Sequence, residues 1–371
     1  MAATEAEEME RNRAARENAE SNGGSSDDAE GKPSTEESGT EGSETMSYRE
    51  ALRLALAEEL ERDPRVFLMG EEVGQFEGAY KVSAGLMDRF GADRIRDTPI
   101  SEEGFVGAGV GAAMLGERPV VEIMTLNFLL VAIDQVINHA AKIGAMFGGT
   151  VRCPMVIRTP NGAGAQLTAQ HSQSFDQWFA STPGLKVVAP ATPRDAKGLL
   201  KAAIRDEDPV LVIENLPIYK EKGEVPLDPE FVTPIGLADV PRKGSDITLI
   251  SHSFATVRCL EVAETLAESH GIDIEVVDLR SLRPLDVETV VASVAKTSRA
   301  VCVEEGWPTY GVTAEIAARI QKACFDDLDA PVERVGMAEV PMPYAKNLET
   351  AALPGTDRIA EAVLETLEGS S

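Results

Sequence analysis

The chain has 371 residues, 43% of them hydrophobic, with 31 glycines and 21 prolines, a balance that suits an α/β protein of two domains. Sixty-two acidic residues against 35 basic ones give a net charge of −27, which argues against nucleic acid and anionic membranes as partners, because both are held by basic patches. No apolar run reaches the roughly 18 residues that span a bilayer.

Four well-separated cysteines, Cys153, Cys259, Cys302 and Cys324, form no CxxC pair. They fit buried thiols of a reducing, cytoplasmic setting better than a disulfide framework or a zinc site. Only four histidines occur, His139, His171, His252 and His270, which argues against a histidine metal centre.

Residues 1–45 hold 13 acids, 4 bases and no aromatic residue. Such a segment buries too little apolar surface to order itself, so a disordered acidic tail is expected. It is also too acidic for an organelle transit peptide. Met46 opens the first folded element and is a candidate alternative start.

From Ser47 onward helices and strands alternate. Ala51, Leu52, Ala55, Leu56 and Leu60 recur at helical spacing behind a capping serine. Strands are expected at 65–69, 94–97, 119–123, 154–158, 185–189 and 210–213. Helices are expected at 104–114 and 194–205, and a single, unusually apolar one at 126–146. The proline-rich stretch 217–241 looks like a linker. A second series follows, with strands at 246–250, 274–278, 300–303 and 332–335 and a closing helix at 357–367. Strands separated by helices imply a doubly wound parallel sheet in each half. The expected organisation is a tail (1–45), a first α/β domain (46–216), a linker (217–244) and a second α/β domain (245–371).

Ligands of open α/β sheets bind beyond the carboxyl ends of strands, and four segments lie there. In Asp97-Thr-Pro-Ile-Ser-Glu102, the glutamate enters a small-residue helix. A carboxylate among apolar neighbours tends to keep its proton and can share it with a nitrogen base. The plainer account is a helix N-terminus with acids in its first turn. The loop Asn161-Gly-Ala-Gly-Ala-Gln-Leu-Thr-Ala-Gln-His171-Ser-Gln173 carries a histidine able to move protons, or an inert surface one. Its glycines match neither GxxxxGKS nor GxGxxG, so a phosphate cradle of those kinds is rejected. At a helix end, Asp206 and Asp208 stand beside unpaired carbonyls, an arrangement for a hard cation or simply a solvated acidic turn. Glu304-Glu305-Gly306-Trp307 is either a pocket wall, an interface or a buried turn.

Together with Gly70-Glu-Glu-Val-Gly74, Gly78-Ala-Tyr-Lys-Val-Ser83, Ala132-Ile-Asp-Gln-Val-Ile-Asn138, Gln170-His-Ser-Gln173, Arg280-Ser-Leu-Arg-Pro284 and Val340-Pro-Met-Pro-Tyr344, these segments resemble the β subunits of the E1 component of 2-oxo acid dehydrogenase complexes. The likeness runs from Ser47 to about Leu367 and leaves out the tail. It implies transketolase-like domains, a pyrimidine-binding one followed by a C-terminal one. It further implies thiamine diphosphate shared with an E1 α subunit, which would hold magnesium, in an α2β2 heterotetramer. The chain lacks the Gly-Asp-Gly…Asn-Asn diphosphate motif, as that division of labour requires.

By the resemblance, Glu102 meets N1′ of the aminopyrimidine, Met124 and Phe128 lie beside that ring, and His171 stands near the active-site channel. Met155, Ala203, Ile204, Asp206 and Asp208 correspond to a structural potassium site, Asp208 replacing an Asn of some relatives. The implied reaction is oxidative decarboxylation of pyruvate, a small 2-oxo acid, with reductive acetylation of a lipoyl group on the E2 dihydrolipoyl acyltransferase. Pyruvate-type features lie at 77–81, 124–128 and 304–307. Branched-chain 2-oxo acid and acetoin dehydrogenase β subunits share the remaining framework.

Overall fold

A computed structural model describes residues 42–369, together with Ala14. The expected tail therefore lies largely outside the described residues. Its last part does not. Strand β1 (Ser43–Ser47) begins inside the segment expected to lack structure. Ser47 then starts the helix Tyr48–Arg62 with a reciprocal cap. Its Oγ accepts from the Glu50 amide at 3.3 Å, and the Glu50 carboxylate accepts from the Ser47 amide at 2.8 Å.

The first half continues with β2 (Val66–Gly70), β3 (Ile95–Asp97), β4 (Arg118–Glu122), β5 (Val156–Asn161), β6 (Lys186–Val188), β7 (Val210–Asn215) and β8 (Lys222–Pro226). The second half holds β9 (Asp239–Arg242), β10 (Ile247–Ser251), β11 (Ile274–Asp278), β12 (Ser281–Arg283), β13 (Ala300–Val303) and β14 (Glu333–Val335). The main sheet has the order β12-β6-β7-β5-β4-β2-β3 and the second the order β14-β13-β10-β11-β9. Both are parallel except for the edge strands β12 and β9. Their central strands are buried throughout, which is why they occur as unbroken apolar runs.

Two local expectations change, and one strand crosses between the halves. The stretch 217–241 is not a bare linker. It contributes β8, paired antiparallel with β1, and the start of β9. Pro226 ends β8 and Pro241 lies on the edge strand β9, where a missing N–H costs no ladder bond. The apolar segment 126–146 is not one α-helix. It divides into a 3₁₀ turn (Phe128–Leu130), a π turn (Gln135–Ala140) and a short α-helix (Ala141–Met146). Leu126, Leu129, Ala132, Val136 and Ala140 are buried, whereas Val131, Met146 and Phe147 are exposed. Finally, Ser281–Arg283 crosses from the second half to close the edge of the first sheet against β6. The largest apolar cluster likewise runs from Phe105 and Val121 to Val277, Leu282 and Val290. That cluster spans both halves, while a separate cluster fills out each half on its own.

Candidate functional site

The carboxyl ends of β2, β3, β4 and β5 converge on one rim of the main sheet, because these parallel strands are mutual neighbours in it. Gly70 ends β2 where a Cβ would lie 2.6 Å from the Glu122 carbonyl, so only glycine lets the two strand ends approach. Beyond it the chain turns into Glu71. Asp97, at the end of β3, accepts from the amides of Gly74 at 2.6 Å and Gln75 at 3.0 Å and pins that turn.

Glu102 is the first residue of the helix Glu102–Met114 and is 7% exposed. Ser101, the residue before it, makes no side-chain cap hydrogen bond. Among the described residues, no donor is recorded to the Glu102 carboxylate. Glu71, equally buried, faces it. Burial, with the Glu102 charge second, raises the Glu71 carboxyl above its ordinary range, and its Oε1 has no partner. Two buried carboxylates without a cation are costly unless a ligand uses them. Glu71 was overlooked in the sequence; the acids at the end of β2 were the available signal.

After β4, Met124 and Phe128 are partly exposed on the same rim. Asn127 ties this segment to the histidine loop. Its Nδ2 donates to Thr125 Oγ1 at 2.7 Å, and its Oδ1 accepts from Gln173 Nε2 at 3.0 Å. The result is an edge-on stack of Phe128 and His171, centroids 5.0 Å apart at 83°. The buried His171 Nδ1 has no partner. The structure thus brings Met124, Phe128 and His171 onto the rim that carries Glu102.

The other two segments do different work. Lys186 Nζ reaches both Asp206 carboxylate oxygens at 2.7 Å and Asp208 at 3.3 Å. Arg118 Nη1 donates to the carbonyls of Ile204 at 3.0 Å and Asp206 at 2.9 Å. The Met155 and Ala203 carbonyls accept from the amides of Val210 and Asp206. Protein cations therefore already neutralise this helix end, and among the described residues no group of three or more His, Cys, Asp or Glu side chains is arranged for a metal.

Glu304 and Glu305 form a buried turn between the halves. Glu304 accepts from the amides of Val312 at 3.0 Å and Thr313 at 3.2 Å. Glu305 accepts from the Ala163 amide at 2.7 Å and Asn215 Nδ2 at 2.5 Å. Gly162, at φ +89°, passes so close to Glu305 that no Cβ fits. Asp176 accepts from Asn161 at 2.9 Å and faces His252 Nε2 at 3.8 Å.

Burial pushes Glu305 up to about 7 against the pull of its two donors. Burial alone would lower His252, but Asp176 raises it. Both groups bind protons more tightly folded than unfolded. Their stabilisation is complete at low pH and fades as pH climbs from the ordinary carboxylate range through neutrality. The melting temperature is expected to fall between about pH 5 and 8, with Glu305 contributing on the order of 3 kcal/mol. Glu305→Gln should flatten that slope; parallel curves for variant and parent would refute the assignment.

Comparisons place this geometry in a class. Residues 44–221 match the transketolase pyrimidine-binding domain and residues 236–359 the transketolase C-terminal domain. A solved split-gene transketolase, described as an inactive β4 tetramer, superposes with a TM-score of 0.70, covering 88% of this chain and 99% of its own; at 22% identity the likeness concerns the fold. Among curated proteins, the Arabidopsis thaliana mitochondrial pyruvate dehydrogenase E1 component subunit beta-1 is 53% identical over 86% of this chain and 89% of its own length. The Bos taurus mitochondrial counterpart is 52% identical over 87% and 90%. The Rhizobium meliloti subunit beta is 53% identical over 86% of this chain and 69% of its own. The chain belongs to the family of pyruvate dehydrogenase E1 component β subunits. Among the described residues, no helix is long and apolar enough to cross a membrane.

Proposed function

We infer that this chain is one half of a thiamine-diphosphate enzyme that decarboxylates pyruvate and passes the acetyl unit to a lipoyl group of an E2 acyltransferase, acting with an α partner in an α2β2 assembly. The observation that carries this reading is the buried Glu102 carboxylate, with no recorded protein donor, beside Glu71. A carboxyl that lacks a donor, together with a buried ring nitrogen of His171 that lacks a partner, fits a group bringing nitrogen and oxygen functions of its own. Bound thiamine diphosphate supplies the nucleophilic carbon and the electron sink for decarboxylation. Glu102 would hold a proton at N1′ of the aminopyrimidine. Glu71 stands beside it as a second buried carboxyl. Met124 and Phe128 would flank the ring. His171, held edge-on against Phe128, would present a polar nitrogen to the substrate side.

Nothing in the sequence corresponds to a diphosphate-binding motif, so magnesium and the diphosphate fall to the α partner. The exposed Val131, Met146 and Phe147, which follow the site segment, suit a subunit contact. A potassium ion at Met155, Ala203, Ile204, Asp206 and Asp208 would share its carboxylates with Lys186, and the proton chemistry of Glu102 does not depend on it. A cytoplasmic location accords with four free, buried cysteines.

The test is calorimetry with thiamine diphosphate and magnesium. The isolated chain should bind weakly or not at all, and the chain reconstituted with an α partner tightly. Micromolar binding by the isolated chain would overturn the division of the site between two subunits.

A further inference from the structure

The 163–165 segment forms part of the wall of a cavity of about 520 Å³, a size typical of small-molecule sites. Both halves build it. Arg49, Tyr80 and Lys220 come from the first half, Phe254 and Arg258 from the helix Phe254–His270 of the second. None of Glu102, Met124, Phe128 and His171 lines it.

Its charge runs against the composition of the chain. Acids outnumber bases 62 to 35 overall, yet among the fifteen lining residues three are basic and none is acidic. Among the described residues, two of the three cations form no ion pair, although the Arg49 charge is felt by the adjacent Glu50 carboxylate. Arg49 makes one long contact, Nη1 to the Tyr80 carbonyl at 3.4 Å, and its buried Nε has no partner at all. Lys220 is exposed at the mouth, with no ion pair recorded among the described residues. Arg258 is paired with Glu261 at 2.7 Å and lies over the Phe254 ring at 4.9 Å. A concave, largely apolar wall concentrates the field of such cations and favours an anion. Guanidinium and ammonium donors form charge-assisted bonds to carboxylate or phosphate oxygens, while the Tyr80 and Phe254 rings favour a flat or apolar body.

We propose that this cavity binds a small organic anion, a carboxylate or phosphate ester carried on an aromatic or apolar body. The ligand would bridge the two halves. It would also lean on the 163–165 segment, next to the amides of Gly164 and Gln166 that Glu349 holds at 3.0 and 2.9 Å. A ligand that binds only the folded chain raises its melting temperature.

The experiment titrates the full chain, at constant ionic strength, with phenyl phosphate, phenylacetate and the neutral benzyl alcohol, by calorimetry and thermal melting. At least one anion should saturate with a Kd of about 1 mM or tighter and raise the melting temperature, and benzyl alcohol should do neither. Tighter binding of phenyl phosphate identifies a phosphate site, tighter binding of phenylacetate a carboxylate site. Arg49→Gln and Lys220→Gln should each weaken the preferred anion roughly fivefold or more. Lys220 is on the surface, so its variant is expected to keep the parent's melting temperature without ligand. Failure of both anions to saturate, equal binding of benzyl alcohol, or unchanged affinity in both variants would overturn the proposal. So would loss of binding on reconstitution with an α partner, which would make this surface a subunit contact. None of these outcomes depends on the reading of Glu102.

Discussion

Glu102→Gln is expected to lower pyruvate decarboxylation by the reconstituted assembly by roughly 10²–10⁴-fold, the range of a lost acid–base contribution. Glutamine keeps nearly the size and shape of the side chain, so the helix Glu102–Met114 and its packing should survive. What it removes is a carboxyl that can hold or release a proton at a ring nitrogen. The control is Glu103→Gln. Glu103 is the next residue, about 100° further round the helix, and is exposed where Glu102 is buried. Its replacement should cost little. The rate is measured with an artificial electron acceptor, the assembly by sedimentation, and proton exchange at the cofactor's reactive carbon separately by isotope labelling. More than half the parent rate in Glu102→Gln, or greater damage from Glu103→Gln, would show that another carboxylate does this work.

The location of that carboxylate was legible in the sequence for a specific reason. Buried parallel strands are short apolar runs, and residues following them lie on one rim, so Glu102 and His171 could be expected together; Met124 and Phe128 came from the family resemblance alone. What was not legible depends on contacts between distant segments. No local pattern tells that Ser281–Arg283 crosses to pair with β6, or that β1 and β8 pair over an intervening domain. The segment 126–146 carries helical periodicity, yet tertiary packing settles it into 3₁₀, π and α turns, because burying Leu126, Leu129, Ala132 and Val136 together outweighs regular helix geometry. Glu71 and Glu102 are 31 residues apart in sequence, and only the adjacency of β2 and β3 in the sheet places them face to face. That Lys186 and Arg118 reach the acidic turn at Asp206 and Asp208 was not legible either, because both belong to other strands.

The second large effect lies beneath the site. Arg158, on β5, is fully buried and donates to Glu214 through Nε at 2.7 Å and Nη2 at 2.6 Å, and to Glu122 through Nη1. Tyr219 donates to Glu214 at 2.5 Å. Glu122, Arg158 and Glu214 belong to β4, β5 and β7, adjacent strands whose ends bear Met124 and the histidine loop. Burial would raise the Glu122 carboxyl on its own, and the Arg158 charge opposes it. Arg158→Met fills much of the volume but leaves two buried carboxylates with no cation. Breaking a buried pair in this way costs roughly 3–5 kcal/mol, and a loss of at least that size is expected from chemical denaturation at neutral pH. The charge account also fixes a sign. Without Arg158, folding should favour the protonated carboxyls, so the loss should shrink as pH falls toward the ordinary carboxylate range and grow as pH rises. A packing defect alone would cost the same at every pH. Adding Glu122→Gln and Glu214→Gln to the arginine variant should recover part of the stability at neutral pH, because neutral amides need no cation. A loss under about 1 kcal/mol, or one that does not change with pH, would mean that the cation is not what holds these three strand ends together beneath Glu102.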